Sequence, residues 1–218
     1  MTLAPAIEID EATAARFAMY HMLTDALEFP TRAFWEDVGC GMFADGVRAL
    51  VEGLPYGLGN GQALDGLADG GAEYIDFQAE YIRLFDVGVA RPPCPLYGGE
   101  WGMPRRRSME DALRFYGYFG LKMNDEAREL PDHVTVQLEF MQVMTHAEGE
   151  ERARGTEPTP MLRAERDFLQ RHLARWWPLL RKKIGSQQPS AFYDALTALT
   201  EAFVVADHAY VRQLAAAG

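Results

Sequence analysis

Asp132, His133 and Glu139 come nearest to a reactive set in this chain: an acid and an imidazole side by side, with a second carboxylate two helical turns on. A carboxylate that orients an imidazole can serve general acid–base chemistry or help complete a metal site. The local sequence encodes neither arrangement. Adjacent residues on a helix diverge by about 100°, so Asp132 and His133 do not face one another, and no H-E-x-x-H pair places a second histidine one turn away. At a helix start, the simplest task for Asp132 is to cap free N–H groups at the positive end of the helix dipole. His172 and His208 sit on helical stretches beside apolar residues and read as partly buried side chains rather than ligands. Cys40 and Cys94 form no C-x-x-C pair. Cys40 is expected to be a small core residue, and Cys94, between two prolines, to pack beneath its turn. The run Gly57-Leu58-Gly59-Asn60-Gly61 looks like a phosphate loop, but no strand precedes it and no G-K-[ST] follows. No G-x-S-x-G elbow occurs. We therefore expect no catalysis, no metal and no cofactor, with a small all-α enzyme built on Asp132, His133 and Glu139 as the alternative.

Residues 80–101, EYIRLFDVGVARPPCPLYGGEW, admit two readings, a binding element and a piece of core. Tyr81, Leu84 and Phe85 share one helical face, and the chain then leaves the helix into a loop stiffened by Pro92, Pro93 and Pro95. A loop that is already stiff loses little entropy when it takes a ligand. The competing reading is a core helix followed by a buried connector, since apolar stripes at helical spacing usually face the core.

The elements that must position these residues are helical throughout. Asp10 can cap a first helix to about Leu27, with Phe17, Tyr20, Thr24 and Leu27 on one face, and Thr31 can start the next beyond Pro30. Seven glycines between Gly53 and Gly71 imply loops around a short helix at about residues 62–68. A helix over about residues 72–85 delivers Tyr81, Leu84 and Phe85. Ser108 and Asp111 form an S-x-x-D capping box for a helix ending near Gly120. Pro131 suits the first turn of the next helix, which carries Val134, Leu138, Met141 and Thr145 on one face with Phe140 and Met144 off it, so it should be central. Residues 146–160 lack apolar anchors and read as a charged, flexible linker. Thr159 and Pro160 start another helix, with Leu162, Leu169, Leu173 and Trp176 at heptad-like spacing before Pro178, and Phe192, Leu196, Leu199, Phe203 and Tyr210 mark a long final one. Alternating strand patterns are absent. The expected fold is all-α, a compact single-domain bundle of about eight to ten helices over residues 1–218.

Two blocks together resemble one family. Tyr81, Leu84 and Phe85 followed by Pro93, Pro95, Leu96 and Tyr97 match a Y-x-x-L-F helix end and P-L-Y turn. Pro131, Asp132 and His133 followed by Leu138, Glu139, Phe140 and Met141 match a P-D-H helix start with L-E-F-M downstream. Both are similar to segments of the TorD/DmsD/NarJ redox-enzyme maturation chaperones, and residues 168–178 add a weaker third match. The form PPCPLYGGEW is nearer to chaperones serving ethylbenzene dehydrogenase, selenate reductase and chlorate reductase than to the tryptophan-bearing turn of the DmsD branch. The resemblance implies a TorD-like helical fold and a cytoplasmic chaperone. Its partner would be the apo catalytic subunit of a molybdopterin oxidoreductase, held by its twin-arginine signal peptide until cofactor is inserted. It also implies a groove drawing on Tyr81, Leu84, Phe85, Pro93, Pro95, Tyr97, Trp101, Asp132, His133 and Glu139, with Glu80, Asp86 and Glu100 as further acids. A NarJ-like assembly role for a client that stays in the cytoplasm is the alternative. No motif supports a guanine-nucleotide site.

Composition agrees with these expectations. A chain of 218 residues with 48% hydrophobic content can bury a substantial core. The start lacks a basic region followed by an apolar run, and no stretch approaches the roughly 18 apolar residues of a membrane helix, so we expect a cytoplasmic location and no stable membrane insertion. Up to Glu100 there are 16 acidic and 5 basic side chains and from Trp101 onward 16 of each, so the whole net charge of −11 lies in the first part. That surplus argues against nucleic acid and suits a basic peptide. The runs Arg105-Arg106-Arg107 and Arg181-Lys182-Lys183 are too short to define a groove and read as solvated. The expected oligomeric state is a monomer or a dimer swapped about the 146–160 linker.

Overall fold

Asp10 opens the first helix as its position predicts: its carboxylate accepts the Thr13 amide at 2.9 Å and the Thr13 hydroxyl at 2.8 Å, a contact of the kind that stabilises a helix by about 1 kcal/mol. Thr31 likewise accepts the Phe34 amide at the start of the second helix. The computed structural model describes residues 9–59, 61–86, 91–124 and 129–217. Among these, the α-helices are α1 Glu11–Leu27, α2 Arg32–Gly39, α3 Met42–Gly53, α4 Tyr74–Phe85, α5 Arg105–Tyr118, α6 Val134–Ala153, α7 Thr159–Arg171, α8 Leu173–Gly185 and α9 Ala191–Ala217, with 3-10 segments at Gly61–Ala68 and Gly98–Glu100. The fold is all-α. No strand occurs among the described residues, and an isolated antiparallel β-bridge joins Tyr97 to His133. None of the described helices is long and apolar enough to cross a membrane.

α6 is central, as its two apolar faces require. Val134, Leu138, Met141 and Thr145 are buried on one side and Phe140 and Met144 on another. α1 lies along α6, α7 and α8 pack on α9, and the first 3-10 segment lies across α9. Gly66 permits that last approach, because a Cβ there would sit 2.6 Å from the Ala191 carbonyl oxygen and 2.9 Å from the Ala195 methyl. Leu23, Leu27, Leu84, Leu138, Phe168, Trp177, Leu196 and Phe203 are fully buried in one continuous cluster that reaches every α-helix. Burial of side chains of this size contributes about 1.5–3 kcal/mol each.

Several local expectations are corrected. Helix α5 begins at Arg105, so Ser108 and Asp111 lie inside it and are buried rather than capping its end. His133, not Asp132, is the N-cap of α6, and Pro131 stands outside the helix. Residues 146–153 are the last two turns of α6 rather than linker. Their charges pair one turn apart, Glu148 with Arg152 at 2.7 Å and Glu150 with Arg154 at 3.1 Å, and such pairs support a helix without apolar anchors. The connection to α7 is residues 154–158, and its Thr156 hydroxyl is tied back to Glu151. The heptad stripe belongs to two helices, because the backbone breaks at His172 (φ −120°, ψ −103°). Pro178 lies within α8 rather than ending it. Cys40 is exposed, and Cys94 is buried.

Candidate functional site

The proline turn is fastened at both ends by its own backbone. The Cys94 amide donates to the Leu84 carbonyl at 3.0 Å, and the Trp101 indole N–H donates to the Pro95 carbonyl at 2.8 Å. Between these ties the turn runs beside the start of α6, where Gly98 donates to the Asp132 carbonyl and Val134 to the Leu96 carbonyl, both at 2.9 Å. The Asp132 carboxylate accepts the Gly99 amide at 2.9 Å. Gly99 is required there: a Cβ would lie 2.5 Å from the Arg105 Cα and 2.8 Å from Asp132 Oδ2. Gln137 links the pair to α8, donating to the Asp132 carbonyl at 3.1 Å and accepting the Trp176 indole N–H at 3.0 Å. The two sequence blocks, more than thirty residues apart, thus form one unit.

Tyr97 and His133 present their rings from this unit, with centroids 4.8 Å apart in an edge arrangement. His133 Nδ1 lies 2.8 Å from the Thr135 hydroxyl and accepts the Thr135 amide, which leaves the imidazole proton on Nε2, 3.8 Å from Glu129. Burial pushes the His133 pKa down to about 4 against the opposing pull of Glu129, so the ring is neutral at pH 7. The Tyr97 hydroxyl donates to Glu129 at 2.6 Å, and the Arg105 guanidinium lies over the Tyr97 ring. On the α4 side, Tyr81 donates to the Leu27 carbonyl at 3.0 Å and packs edge-on against Phe29 and Phe85.

These groups enclose a cavity of about 810 Å³ between the ends of α1 and α4, the proline turn and the start of α6. Its apolar wall is Phe29, Tyr81, Phe85, Pro92, Pro95 and Leu96, with Tyr97 and His133 at the back. Glu28, Asp86, Glu100 and Glu129 face it against Arg91 and Arg105, and Arg91 is ion-paired with Glu100. Burial, then Asp25 and Glu129, raise the Glu28 pKa, as expected where like charges gather without full compensation.

Of the residues expected at the site, Tyr81, Phe85, Pro95, Tyr97, His133, Asp86 and Glu100 line this cavity. Leu84 and Asp132 are fully buried and act on it from behind. Burial raises the Asp132 pKa while the Gly99 amide lowers it, and its Oδ1 has no hydrogen-bond partner among the described residues. Pro93 is half-buried within the turn, and Trp101 pins the turn through its indole. Glu80 turns away to pair with Arg83 and to accept the Ser190 amide. Glu139 is exposed beside a separate depression of about 250 Å³ with Tyr116, Val136 and Phe140. Glu28, Phe29, Arg105 and Glu129 were missed. The dipeptide Glu28-Phe29 before Pro30 was the available signal, an acid and an aromatic ring at a forced helix end. Among the described residues no group of three or more His, Cys, Asp or Glu is placed to hold a metal. What the arrangement can do is bind: it offers an aromatic wall beside a surplus of carboxylates.

Comparison with known proteins assigns the chain to a family. The family model described as nitrate reductase delta subunit matches residues 44–182. The perchlorate reductase assembly chaperone of Dechloromonas aromatica is 31% identical over 91% of this chain and 90% of its own length. The selenate reductase assembly chaperone of Thauera selenatis is 33% identical over 63% of this chain and 73% of its own, and the chlorate reductase assembly chaperone of Ideonella dechloratans 35% over 57% and 65%. These relatives are assembly chaperones rather than catalysts, and they include the subgroup to which the PPCPLYGGEW turn pointed. This chain therefore belongs to the nitrate reductase delta subunit family, among the TorD-type chaperones of redox-enzyme maturation.

Proposed function

We propose that the cavity between α1, α4 and the proline turn receives the twin-arginine signal peptide of a molybdenum oxidoreductase catalytic subunit. The chain would hold that subunit in the cytoplasm, in its apo form, until the molybdopterin cofactor is inserted. The observation that carries this reading is the pairing of four carboxylates with an aromatic wall in one cavity. A signal peptide brings two guanidiniums and then an apolar stretch. Guanidinium–carboxylate pairs are strong because they can be bidentate, and the apolar stretch needs a trough of this kind. Buried Asp132 and His133 hold the wall in place, and Glu28, Glu129 and Asp86 meet the arginines. The relatives named as chaperones of perchlorate, selenate and chlorate reductases support the class of client.

Titration of a fluorescent twin-arginine peptide against the purified chain, beside peptides carrying Lys-Lys or Ala-Ala in place of the arginines, tests the reading. The expected order of affinity is Arg-Arg, then Lys-Lys, then Ala-Ala. Equal binding of all three would remove the carboxylates from the recognition.

A further inference from the structure

A basic face on this acidic chain shares no lining residue with the cavity just described. On α5, Arg107, Asp111, Arg114, Phe115 and Tyr118 fall at spacings of four, three, one and three and so form one stripe. On α7, Arg163, Asp167 and Arg171 form another at spacings of four. The two stripes border a depression of about 470 Å³ floored by Phe115, Phe119 and Ala164, which adjoins a second of about 420 Å³ that shares Asp111, Arg114 and Arg171 with it. Together they make a trough with an aromatic end and a guanidinium end.

The carboxylates in this trough are already engaged. Asp111 is held by Arg171 and lies 3.1 Å from the buried His172 ring, Glu110 pairs with Arg106 at 2.8 Å, and Asp167 pairs with Arg166 at 2.7 Å. Arg107, Arg114 and Arg163 are exposed and have no carboxylate within ion-pair distance among the described residues. Tyr118 is 80% exposed, an unusual position for so large a ring. An exposed tyrosine beside the half-buried rings of Phe115 and Phe119, interleaved with arginines, is the composition of a binding hot spot rather than of a solvated surface, which is normally Lys- and Glu-rich.

We infer that the trough between α5 and α7 docks an acidic polypeptide segment of a partner protein. The segment would set carboxylates on Arg107, Arg114 and Arg163 and at least one apolar side chain against Phe115, Tyr118 and Phe119. Charge complementarity selects this occupant: the local sign is opposite to that of a chain carrying −11 overall. The site is separate from the acidic cavity and takes a ligand of opposite charge, so it stands whether or not that cavity binds a signal peptide.

The test uses the full chain and a labelled amphipathic peptide carrying glutamates and leucines at heptad spacing, with a glutamate–serine peptide of equal charge as control. Fluorescence anisotropy should show binding of the Glu–Leu peptide that weakens with salt. Reversing the charges in Arg107→Glu/Arg114→Glu/Arg163→Glu should reduce affinity by about tenfold or more and flatten the salt dependence. Tyr118→Ala, an exposed position that does not threaten folding, should lose about threefold to tenfold and keep the salt slope. Binding of a twin-arginine peptide should survive both changes. Parent-like affinity in the charge-reversed variant, or equal binding of the glutamate–serine peptide, would overturn the proposal. Displacement of the peptide by tripolyphosphate at lower concentration than by unlabelled peptide would assign the face to a small phosphate ligand, and self-association of the parent abolished by the charge reversal would assign it to a second copy. Either result also overturns it.

Discussion

Arg16 of α1 and Asp207 of α9 meet with no exposure to solvent, Nε to Oδ1 at 2.6 Å, although 191 residues separate them. The same guanidinium pairs with Glu148 of α6 and Glu165 of α7, so one side chain joins four helices. Asp207 also accepts the hydroxyls of Tyr20 and Tyr56, each at 2.6 Å.

Removing Arg16 should therefore unclamp the bundle. Arg16→Leu leaves Glu165 and Asp207 in an apolar interior without their cation, with Arg152 remaining only on Glu148, and the loss expected for breaking a buried pair from one side is about 3–5 kcal/mol. Urea unfolding of the variant checks this. A midpoint within experimental error of the parent would show that the carboxylates find other partners.

The cluster also makes a prediction about pH. The Arg16 guanidinium is shared among Glu148, Glu165 and Asp207, and burial, with the neighbouring carboxylates, outweighs its pull to raise the Glu165 pKa well above its ordinary 4.5. A raised pKa means the folded state holds a proton that the unfolded chain releases. Glu165 thus supplies its stability below 4.5 and loses it as pH rises through the folded value. Glu165→Gln keeps the neutral, hydrogen-bonding form at all pH, so its stability relative to the parent should increase from about pH 5 upward. Parallel stability curves for the two proteins would show that Glu165 is ionised in the fold.

His133 acts in the opposite direction. Its pKa falls from 6.5 to about 4 on folding, chiefly through burial, so the unfolded chain binds the proton first and stability is lost as pH drops below 6.5. Between pH 7 and pH 5 the parent should lose up to about 2 kcal/mol more than His133→Gln. His172, also pushed down to about 4 by burial, adds the same slope to both proteins and cancels from the comparison. An unchanged difference between the curves across that interval would place His133 in solvent.

Peptide recognition and fold support should separate by residue. Glu129 faces the cavity and accepts the Tyr97 hydroxyl, so Glu129→Gln should retain the fold, weaken a twin-arginine peptide by up to about 1.4 kcal/mol, and flatten the salt dependence of its association. Leu84 is fully buried, and Leu84→Ala should instead cost about 2–5 kcal/mol of stability. A folded Leu84→Ala chain of parental stability with selectively lost binding would put Leu84 on the cavity surface.

How much of this was legible depended on whether the governing contact was local. Helix positions follow from periodicity and caps within a few residues, so α1, α2, α4 and α9 could be read directly, down to the caps at Asp10 and Thr31. The proline turn and the Asp132-His133 start were likewise visible as motifs. Where a helix begins was harder when tertiary contacts intervened: Ser108 and Asp111 have capping chemistry, but Asp111 is taken up by Arg171 and His172 of another helix segment.

The chain by itself determined that it is helical, which faces of its helices are apolar, and that its acidic surplus lies in the first half. Only the tertiary structure decided which of the motif residues look into the cavity, turning Tyr81, Tyr97 and His133 inward to it and withdrawing Leu84 and Asp132 into the core. It also decided that Arg16 is a core residue. A charged side chain on an amphipathic helix reads as solvated because the low-dielectric cost of burying it is local, whereas the carboxylates that offset that cost stand 132 to 191 residues away.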